Sequence, residues 1–471
     1  MTAMREKNVL YLLIPFALAA QPQGLSFGSQ QARAAPEWLN RATIYQVWMR
    51  AFTPEGTLKA VTARLPYIAD LGANIVYLSP LNPGWNPYGV DDYDAIDPRY
   101  GTEADLKELT ATAHKLGLKV IMDIVFSGIG PNNPLLKKPG FYKTNKDGRP
   151  ELSLWKWPLP NFANPQLREY LVGNLLHWVR DVKADGFRCD VAASVPLDFW
   201  EQARRALDKV NPEAILLAES DRPDDQLRAF DLNYNYAYYT ALTSVLQGGE
   251  TAARVPDQWE KARATYPHGA RLVHFSDNHD QTRAVLKFGT RGAVAASVLN
   301  FTLDGVPFLY NGQEIADSTA TPWYESKAIA FPGTNGGGKL DPRVADLMRA
   351  MGMKDERIAT LATYKRLFQL RKEESALTSG DLSWIANTAP ESVLSFVRRR
   401  GDEEVVVIVN LSNRILTGSM DLPATEYVSL KQVFGDGGLT SELERLVVGR
   451  VGFKLPAYGT IVAKRQPPLT K

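Results

Sequence analysis

The chain has 471 residues, about three times the ~150 of a typical single domain, so it can bury at least one large core. Apolar residues make up 45%, charged residues 23% and aromatic residues 10%, a balance that excludes a disordered chain, a collagen-like repeat and a disulfide miniprotein. Lys and Arg together exceed Asp and Glu only by 54 to 52, and no basic run stands out, so nucleic acid is not expected as a partner.

The first residues carry a signal of their own. Arg5 and Lys7 precede an apolar run from Val9 to Ala20 that contains Ala17-Leu18-Ala19, and a second small-residue pattern, Ala32-Arg33-Ala34, follows a polar stretch. This is the layout of a secretory signal peptide. Residues 1–34 are therefore expected to be a signal and export segment, with the mature chain starting between Ala20 and Pro36 in the periplasm or outside the cell. The run is shorter than the ~20 residues of a membrane span, so no membrane contact is expected after its removal. Cys189 is the single cysteine and can form neither an intrachain disulfide nor a thiolate metal site.

From Trp38 onward short apolar runs alternate with amphipathic stretches. Strands are predicted at Ala42–Trp48, Asn74–Ser79, Lys119–Val125, Asp185–Val191, Ile215–Glu219, Ala229–Leu232, Arg271–Ser276 and Pro307–Tyr310. Helical patterns between them include Glu103–Leu116, Pro165–Val182 and Leu197–Val210, with Thr102 and Asn164 as N-caps. Eight strands, each followed by a helix or a long loop, is the count of a (β/α)8 barrel, here spanning 38–376. A doubly wound sheet would carry fewer strands and a glycine fingerprint after the first, which is not present. Residues 128–163, rich in Pro, Gly, Asn and Trp, read as a short irregular excursion after the third strand. From 377 to 471 the helical pattern gives way to strand-like runs such as Ser392–Arg398, Val405–Asn410 and Gly459–Lys464, which predict a separate antiparallel β-sandwich domain.

Catalytic groups of such barrels sit at the carboxyl ends of the strands. Those ends supply Asp123, the run Asp185-Gly-Phe-Arg188-Cys-Asp190, Glu219 after Leu-Leu-Ala, and Ser276-Asp-Asn-His279-Asp280. Acids on neighbouring strand ends, one of them two residues after an arginine, suit glycoside cleavage. One carboxylate attacks the anomeric carbon or activates water, while a carboxylic acid protonates the leaving oxygen. The arginine is expected to keep Asp190 ionised, and the apolar Leu216-Leu-Ala before Glu219 to keep that acid protonated.

At these residues the sequence resembles the α-amylase family of glycoside hydrolases. The resemblance covers nearly all of 38–470 and rests on GFRCD at 186–190, Glu219 and SDNHD at 276–280, supported by NPYGVDDYDAIDPRYGT around Tyr88 and PFLYNGQE at 307–314. It implies a retaining hydrolase of α-glucosidic linkages in starch-like glucans or maltooligosaccharides. Asp190 would be the nucleophile, Glu219 the general acid/base and Asp280 the group gripping the distorted sugar. Arg188 would hold Asp190, His279 would hydrogen-bond the sugar, and Tyr88 would stack beneath it. The resemblance also implies a short B domain at 128–163 and a C domain at the β-rich end.

Two places depart from the family. Where its third-strand pattern often ends Asn-His, for calcium and for the sugar, this chain has Ser127-Gly128; where many members have Lys-His after the nucleophile, it has Ala193-Ser194. No metal and no other cofactor is therefore assigned. The other readings are a glucosyl transferase of the same family and a non-catalytic carbohydrate-binding or partner protein.

Lesser candidates complete the reading. Gly333–Lys339 imitates the start of a phosphate-binding loop but ends in Leu340 where Ser or Thr should stand, and reads as a plain loop. His114, His177, His268, His274 and His279 do not group at metal-ligand spacing, and no GxSxG elbow is present. Trp85, Trp155, Trp157, Trp323 and Tyr324 fall on predicted loops at the active face as candidate sugar-stacking groups, and Arg283 is a candidate for a neighbouring subsite.

Overall fold

Strands covered on both faces carry continuous apolar runs rather than alternation, and eight such runs close into a barrel in the computed structural model, which describes residues 26–322, 325–331, 356–422, 429–440 and 449–466. The strands are β1 (Ile44–Val47), β2 (Ile75–Leu78), β3 (Lys119–Ile124), β4 (Gly186–Cys189), β5 (Ile215–Ala218), β6 (Leu232–Tyr234), β7 (Leu272–His274) and β8 (Val306–Tyr310), all parallel and in sequence order. Ile44 opposite Phe308 closes the ring between β1 and β8. Helices begin where the sequence puts their caps. Thr102 and Asp105 form a reciprocal capping box at the start of Glu103–Lys115, and the Asn164 side chain accepts from Gln166 and Leu167 N–H at the start of Pro165–Arg180.

One strand lies elsewhere than predicted. The expected Ala229–Leu232 overlaps β6 only at Leu232. Ala229 instead follows the helical turn Asp225–Arg228, and its carbonyl accepts from Arg204 Nε at 2.9 Å. The polar Asn233 in the middle of β6 hides the strand from an apolar pattern.

The carboxyl-terminal part has two antiparallel sheets, ordered β13-β16-β11-β10-β9 and β12-β15-β14, where β9 is Asp381–Trp384, β10 Val393–Arg400, β11 Glu403–Asn410, β12 Leu416–Asp421, β13 Leu430–Phe434, β14 Gly438–Leu439, β15 Arg450–Leu455 and β16 Thr460–Arg465. The larger sheet is covered twice. Val405, Val407 and Val409 join the barrel's core, while Val406 and Ile408 pack with Val451, Phe453 and Leu455 of the smaller sheet. Two buried arginines fasten the seam: Arg371 donates to the carbonyls of Phe301 (2.9 Å) and Gly305 (2.6 Å), and Arg398 to those of Thr302 and Gly380 (both 2.7 Å).

The apolar run Val9–Ala20 lies outside the described residues, but the end of the expected export segment does not. Residues 26–34 cross the amino-terminal end of the barrel. Phe27 N–H donates to Thr265, Ala32 N–H to His268 and Arg33 N–H to Gln226, each at 2.9 Å. The Arg33 guanidinium pairs with Asp231, whose fully buried carboxylate also takes Arg204 at 2.6 Å and the Leu216 N–H at 2.8 Å. These residues pack on the barrel body, which no local pattern in the sequence signals, because the bonds that tie them there reach Gln226, Asp231, Thr265 and His268.

Candidate active site

The site grows from strand register. Asp123 on β3 stands beside Arg188 on β4, and Arg188 Nη1 donates both to Asp123 Oδ1 at 2.8 Å and to Asp190 Oδ1 at 2.9 Å. Its Nη2 lies 2.8 Å from Glu219 Oε1. Cys189 and Ala218 are register partners on β4 and β5, so the next residues, Asp190 and Glu219, end neighbouring strands. Adjacent strands run about 4.8 Å apart, which suits the ~5–5.5 Å carboxyl spacing of retaining glycosidases.

Both oxygens of each reacting carboxyl are held. Asp190 Oδ2 accepts from the Ser127 hydroxyl at 2.8 Å. Glu219 Oε2 accepts from the Val191 N–H at 2.7 Å, and Oε1 from the Tyr236 hydroxyl at 3.0 Å. Val191 has φ +39° and ψ +50°, a left-handed conformation that is costly for a β-branched side chain. The strained residue is the one whose amide donates to Glu219. The apolar residues before Glu219 therefore do not set its surroundings; an ion pair and two hydrogen-bond donors do.

A second layer of contacts surrounds His279 and Asp280. His279 lies nearly parallel to Trp48 (centroids 4.9 Å, planes 14° apart) and to Tyr88 (5.6 Å, 13°), whose own centroids are 6.4 Å apart. Gln46 Nε2 meets His279 Nδ1 at 2.8 Å, which leaves the ring proton on Nε2, facing the Tyr88 hydroxyl and Asp280 Oδ2 at 3.2 Å. Burial, then the Arg188 charge, hold His279 well below the usual imidazole range, so it is neutral. Tyr88 donates to Asp123 Oδ2 at 3.1 Å, and Tyr77 to the same oxygen at 2.6 Å. Asp280 sits at the open rim with its side chain 28% exposed.

The charges do not balance. Arg188 and Asp123 are essentially sealed, at 1% and 0% side-chain exposure, and one cation faces Asp123, Asp190 and Glu219, with Asp280 beyond. Burial pushes Asp190 up to about 7; Arg188 opposes this, and Glu219 and Asp123 add to it. Burial likewise raises Asp123. The expectation that Arg188 alone keeps Asp190 ionised is thus corrected: its charge is divided among three acids. The cluster retains a proton near neutrality, shared among coupled sites.

The six expected site residues, Asp190, Glu219, Asp280, Tyr88, Arg188 and His279, are brought together. Arg283 is not part of the cleft. It is buried and donates to the carbonyls of Asn311 (2.9 Å) and Thr319 (3.1 Å), bracing the loop after β8. His114, on the helix Glu103–Lys115, pairs with Asp185, and His177, on Pro165–Arg180, pairs with Glu103 and Asp181. Trp155 is 43% exposed and Trp85 55% exposed, while Trp323, Tyr324 and the loop Gly333–Lys339 lie outside the described residues. Sequence reading missed Gln46, Trp48, Tyr77 and Tyr236. Gln46, a lone polar residue in an apolar strand, was the one visible signal. Ser127 was noted only as a lost calcium ligand, yet its hydroxyl faces Asp190.

Comparisons with known proteins agree with this geometry. The family described as "Alpha amylase, catalytic domain" matches residues 26–147 and 154–328. The alpha-amylase MalA of Haloarcula japonica is 30% identical over 311 residues, 62% of this chain and 46% of that protein, so the chain spans about half the length of that relative. Neopullulanase 2 of Thermoactinomyces vulgaris is 28% identical over 449 residues, 82% of this chain and 72% of that protein. The crystal structure of a maltogenic alpha-amylase, AmyB, from Thermotoga neapolitana aligns with a TM-score of 0.77 at 25% identity, covering 90% of this chain and 99% of that one.

Two outcomes are expected. Burial raises the Asp190 carboxyl from its ordinary 3.8 to about 7 in the folded chain. Its carboxyl therefore costs no stability below pH ~4, and stability is lost as pH rises through about 7. Asp190→Asn removes that cost, so its melting temperature should exceed the parent's by a few degrees at pH 8 and the gain should vanish near pH 4. A constant offset across that range, by calorimetry, would refute it. Because Ser127 spends its hydroxyl on Asp190 and Ala193 offers no ligand, a chelator should change melting temperature and starch hydrolysis little; a loss restored by Ca²⁺ alone would show a site built from other residues.

Proposed function

The chain belongs to the α-amylase family of glycoside hydrolases, and from that premise and the shared guanidinium we propose that it is a retaining hydrolase of α-glucosidic linkages in starch-like glucans or maltooligosaccharides. The observation that carries this is Arg188 bonded at once to Asp190 and Glu219. One cation holds a nucleophile and an acid at the ends of adjacent strands, in a cluster that keeps a proton.

The chemistry follows from the positions. In the productive form that proton stands on Glu219 and Asp190 is ionised. An Asp190 oxygen attacks the anomeric carbon, the glycosidic C–O bond breaks, and the leaving oxygen takes the Glu219 proton. Glu219, now a carboxylate beside the Val191 amide, removes a proton from water. The water oxygen attacks the same carbon and displaces Asp190, restoring both acids and the α configuration. Asp280, on the rim with the neutral His279 behind it, faces the sugar's hydroxyls, and its hydrogen bonds tighten as the ring flattens.

Asp190→Asn, Glu219→Gln and Asp280→Asn should each lower kcat by about 10³-fold or more with the fold intact, in line with losses of reacting groups elsewhere. Glu219→Gln should be partly spared on substrates with good leaving groups. Starch or maltooligosaccharides should yield a first-formed α-anomer by NMR; a β-anomer, or full activity in Asp190→Asn, would overturn the assignment.

We further propose that the chain is exported. Arg5, Lys7, the run Val9–Ala20 and Ala17-Leu18-Ala19 support this. The packing of residues 26–34 on the barrel favours a cut at the first small-residue pattern over one at Ala32-Arg33-Ala34. N-terminal sequencing from the native host should read a start between Ala20 and Ser26. A start at Met1 would overturn export, and a start at Ala35 would overturn the choice of cut.

A further inference from the structure

Asp280 is held differently from the two reacting acids. Ion pairs and hydrogen bonds fix Asp190 and Glu219, whereas the Asp280 carboxylate lies on the rim, 3.2 Å from His279 Nε2 and 28% exposed. Where it stands therefore depends on the backbone turn 276–281 that carries it. Within that turn Asp280 N–H donates to Asn278 Oδ1 at 2.9 Å, and Gln281 N–H to the Asn278 carbonyl at 3.2 Å. Those bonds shape the turn without tying it to the rest of the barrel.

Lys287 ties it at both ends. Its Nζ donates to the Ser276 carbonyl at 2.9 Å and to the Tyr239 hydroxyl at 2.9 Å, and that hydroxyl donates on to Gln281 Oε1 at 2.8 Å. One ammonium thus reaches the first residue of the turn directly and the last through a tyrosine. Tyr239 is itself seated, its ring parallel to that of Phe275 (centroids 4.8 Å, planes 8° apart). Lys287 Nζ lies over the Tyr239 and Phe288 rings, 4.6 and 4.9 Å from their centroids. Both hydrogen bonds go to neutral oxygens rather than to a carboxylate, and burial pulls the ammonium down to about 8 against the Asp277 charge. The lysine keeps this place at a cost in desolvation.

The backbone around it is arranged to match. Gly289, at φ +68° and ψ +169°, interrupts the helix Ala284–Thr302 and sets its first turn apart from the rest. Asp277 Oδ2 accepts the Ala284 N–H at 2.7 Å, so this first turn and the segment 276–281 are bonded at two places, Asp277 to Ala284 and Ser276 to Lys287.

We propose that Lys287 is a positioning residue for Asp280: with Tyr239 it staples the turn 276–281 and so holds Asp280 where its transition-state contacts form. The effect on rate rests on the α-glucan hydrolase reading; the staple itself does not. Lys287 acts through the turn and not on the sugar. Because the hydrogen bonds of Asp280 count most in the transition state, a loosened turn lowers kcat more than it raises KM.

The test uses the full chain. Lys287→Met keeps the length of the stem and removes the donors, so kcat on maltoheptaose should fall about tenfold or more with KM within about twofold. Lys287→Arg can still donate to both oxygens and should return kcat to within about threefold of the parent. Tyr239→Phe breaks only the link to Gln281 and should lower kcat less. The double variant should be no slower than Lys287→Met, because the two residues act as one unit. Amide hydrogen exchange over 276–283, read by mass spectrometry, should quicken about fivefold or more in Lys287→Met and not in Lys287→Arg. Unchanged kcat or unchanged exchange in Lys287→Met, losses that multiply in the double variant, or no recovery in Lys287→Arg would overturn the staple. If Lys287→Met does not fold, Tyr239→Phe, which loses a single hydroxyl, decides by the same two readouts. Absence of α-glucan hydrolysis by the unmodified chain would overturn the hydrolase reading, and exchange alone would then decide the staple.

Discussion

The guanidinium of Arg188 is a single positive charge placed among three carboxyl groups where side-chain exposure is 1%, and the rest of the site is arranged around that imbalance. Removing one partner of a buried ion pair costs ~3–5 kcal/mol because the other charge is stranded. Here Asp123, Asp190 and Glu219 would all lose their common counter-charge. The barrel fixes the arrangement through backbone register: Arg188 sits opposite Asp123 on β3, and Asp190 and Glu219 follow the last paired residues of β4 and β5. Tyr77, Tyr88, Ser127, Tyr236 and the Val191 amide then supply the donors that one arginine cannot.

A cluster with more acids than cations has to keep a proton, and glycoside cleavage needs one. The burial that lifts Asp190 to about 7 is a stability cost incurred for function, the usual trade at a site where charge is deliberately under-compensated. His279 works in the opposite sense. Buried and facing the Arg188 charge, it is kept neutral, so it adds no charge to a cluster already short of cations. Its place in the site is that of a hydrogen-bond donor with a fixed tautomer.

Much of this was legible in the sequence because chemistry-bearing residues there follow apolar runs. GFRCD, LLAE and SDNHD each lie at the end of a strand; the resemblance they carry pointed to the barrel, and the six residues it named lie together in the structure. What the sequence hid has physical reasons. β6 carries Asn233 in its middle and so lacks an apolar pattern. Arg283 follows Asp280 closely, but as the residue capping the helix Ala284–Thr302 it is held under the loop after β8. The strap at 26–34 has no local pattern, since its partners lie some two hundred residues away at Gln226, Asp231, Thr265 and His268. Tyr236 reaches Glu219 from the start of a helix whose aromatic residues look alike in sequence.

The departures at 127 and 128 show how the two tasks of the site are divided. The acids stand on strand ends, where register and the Arg188 bonds leave little freedom, and all three survive. The third-strand loop has only one duty toward them, the Ser127 hydrogen bond to Asp190, which a small hydroxyl meets as well as a larger side chain. Gly128 has no duty toward the acids at all, and its missing side chain is the space in which Trp157 lies. The same logic holds for the excursion 128–163, whose Trp157 touches the site only through the glycines next to Ser127 and Tyr88. The charge cluster is therefore held by the barrel's register, and the excursion laid over it meets the neighbours of Ser127 and Tyr88 at two glycines rather than through shared side chains.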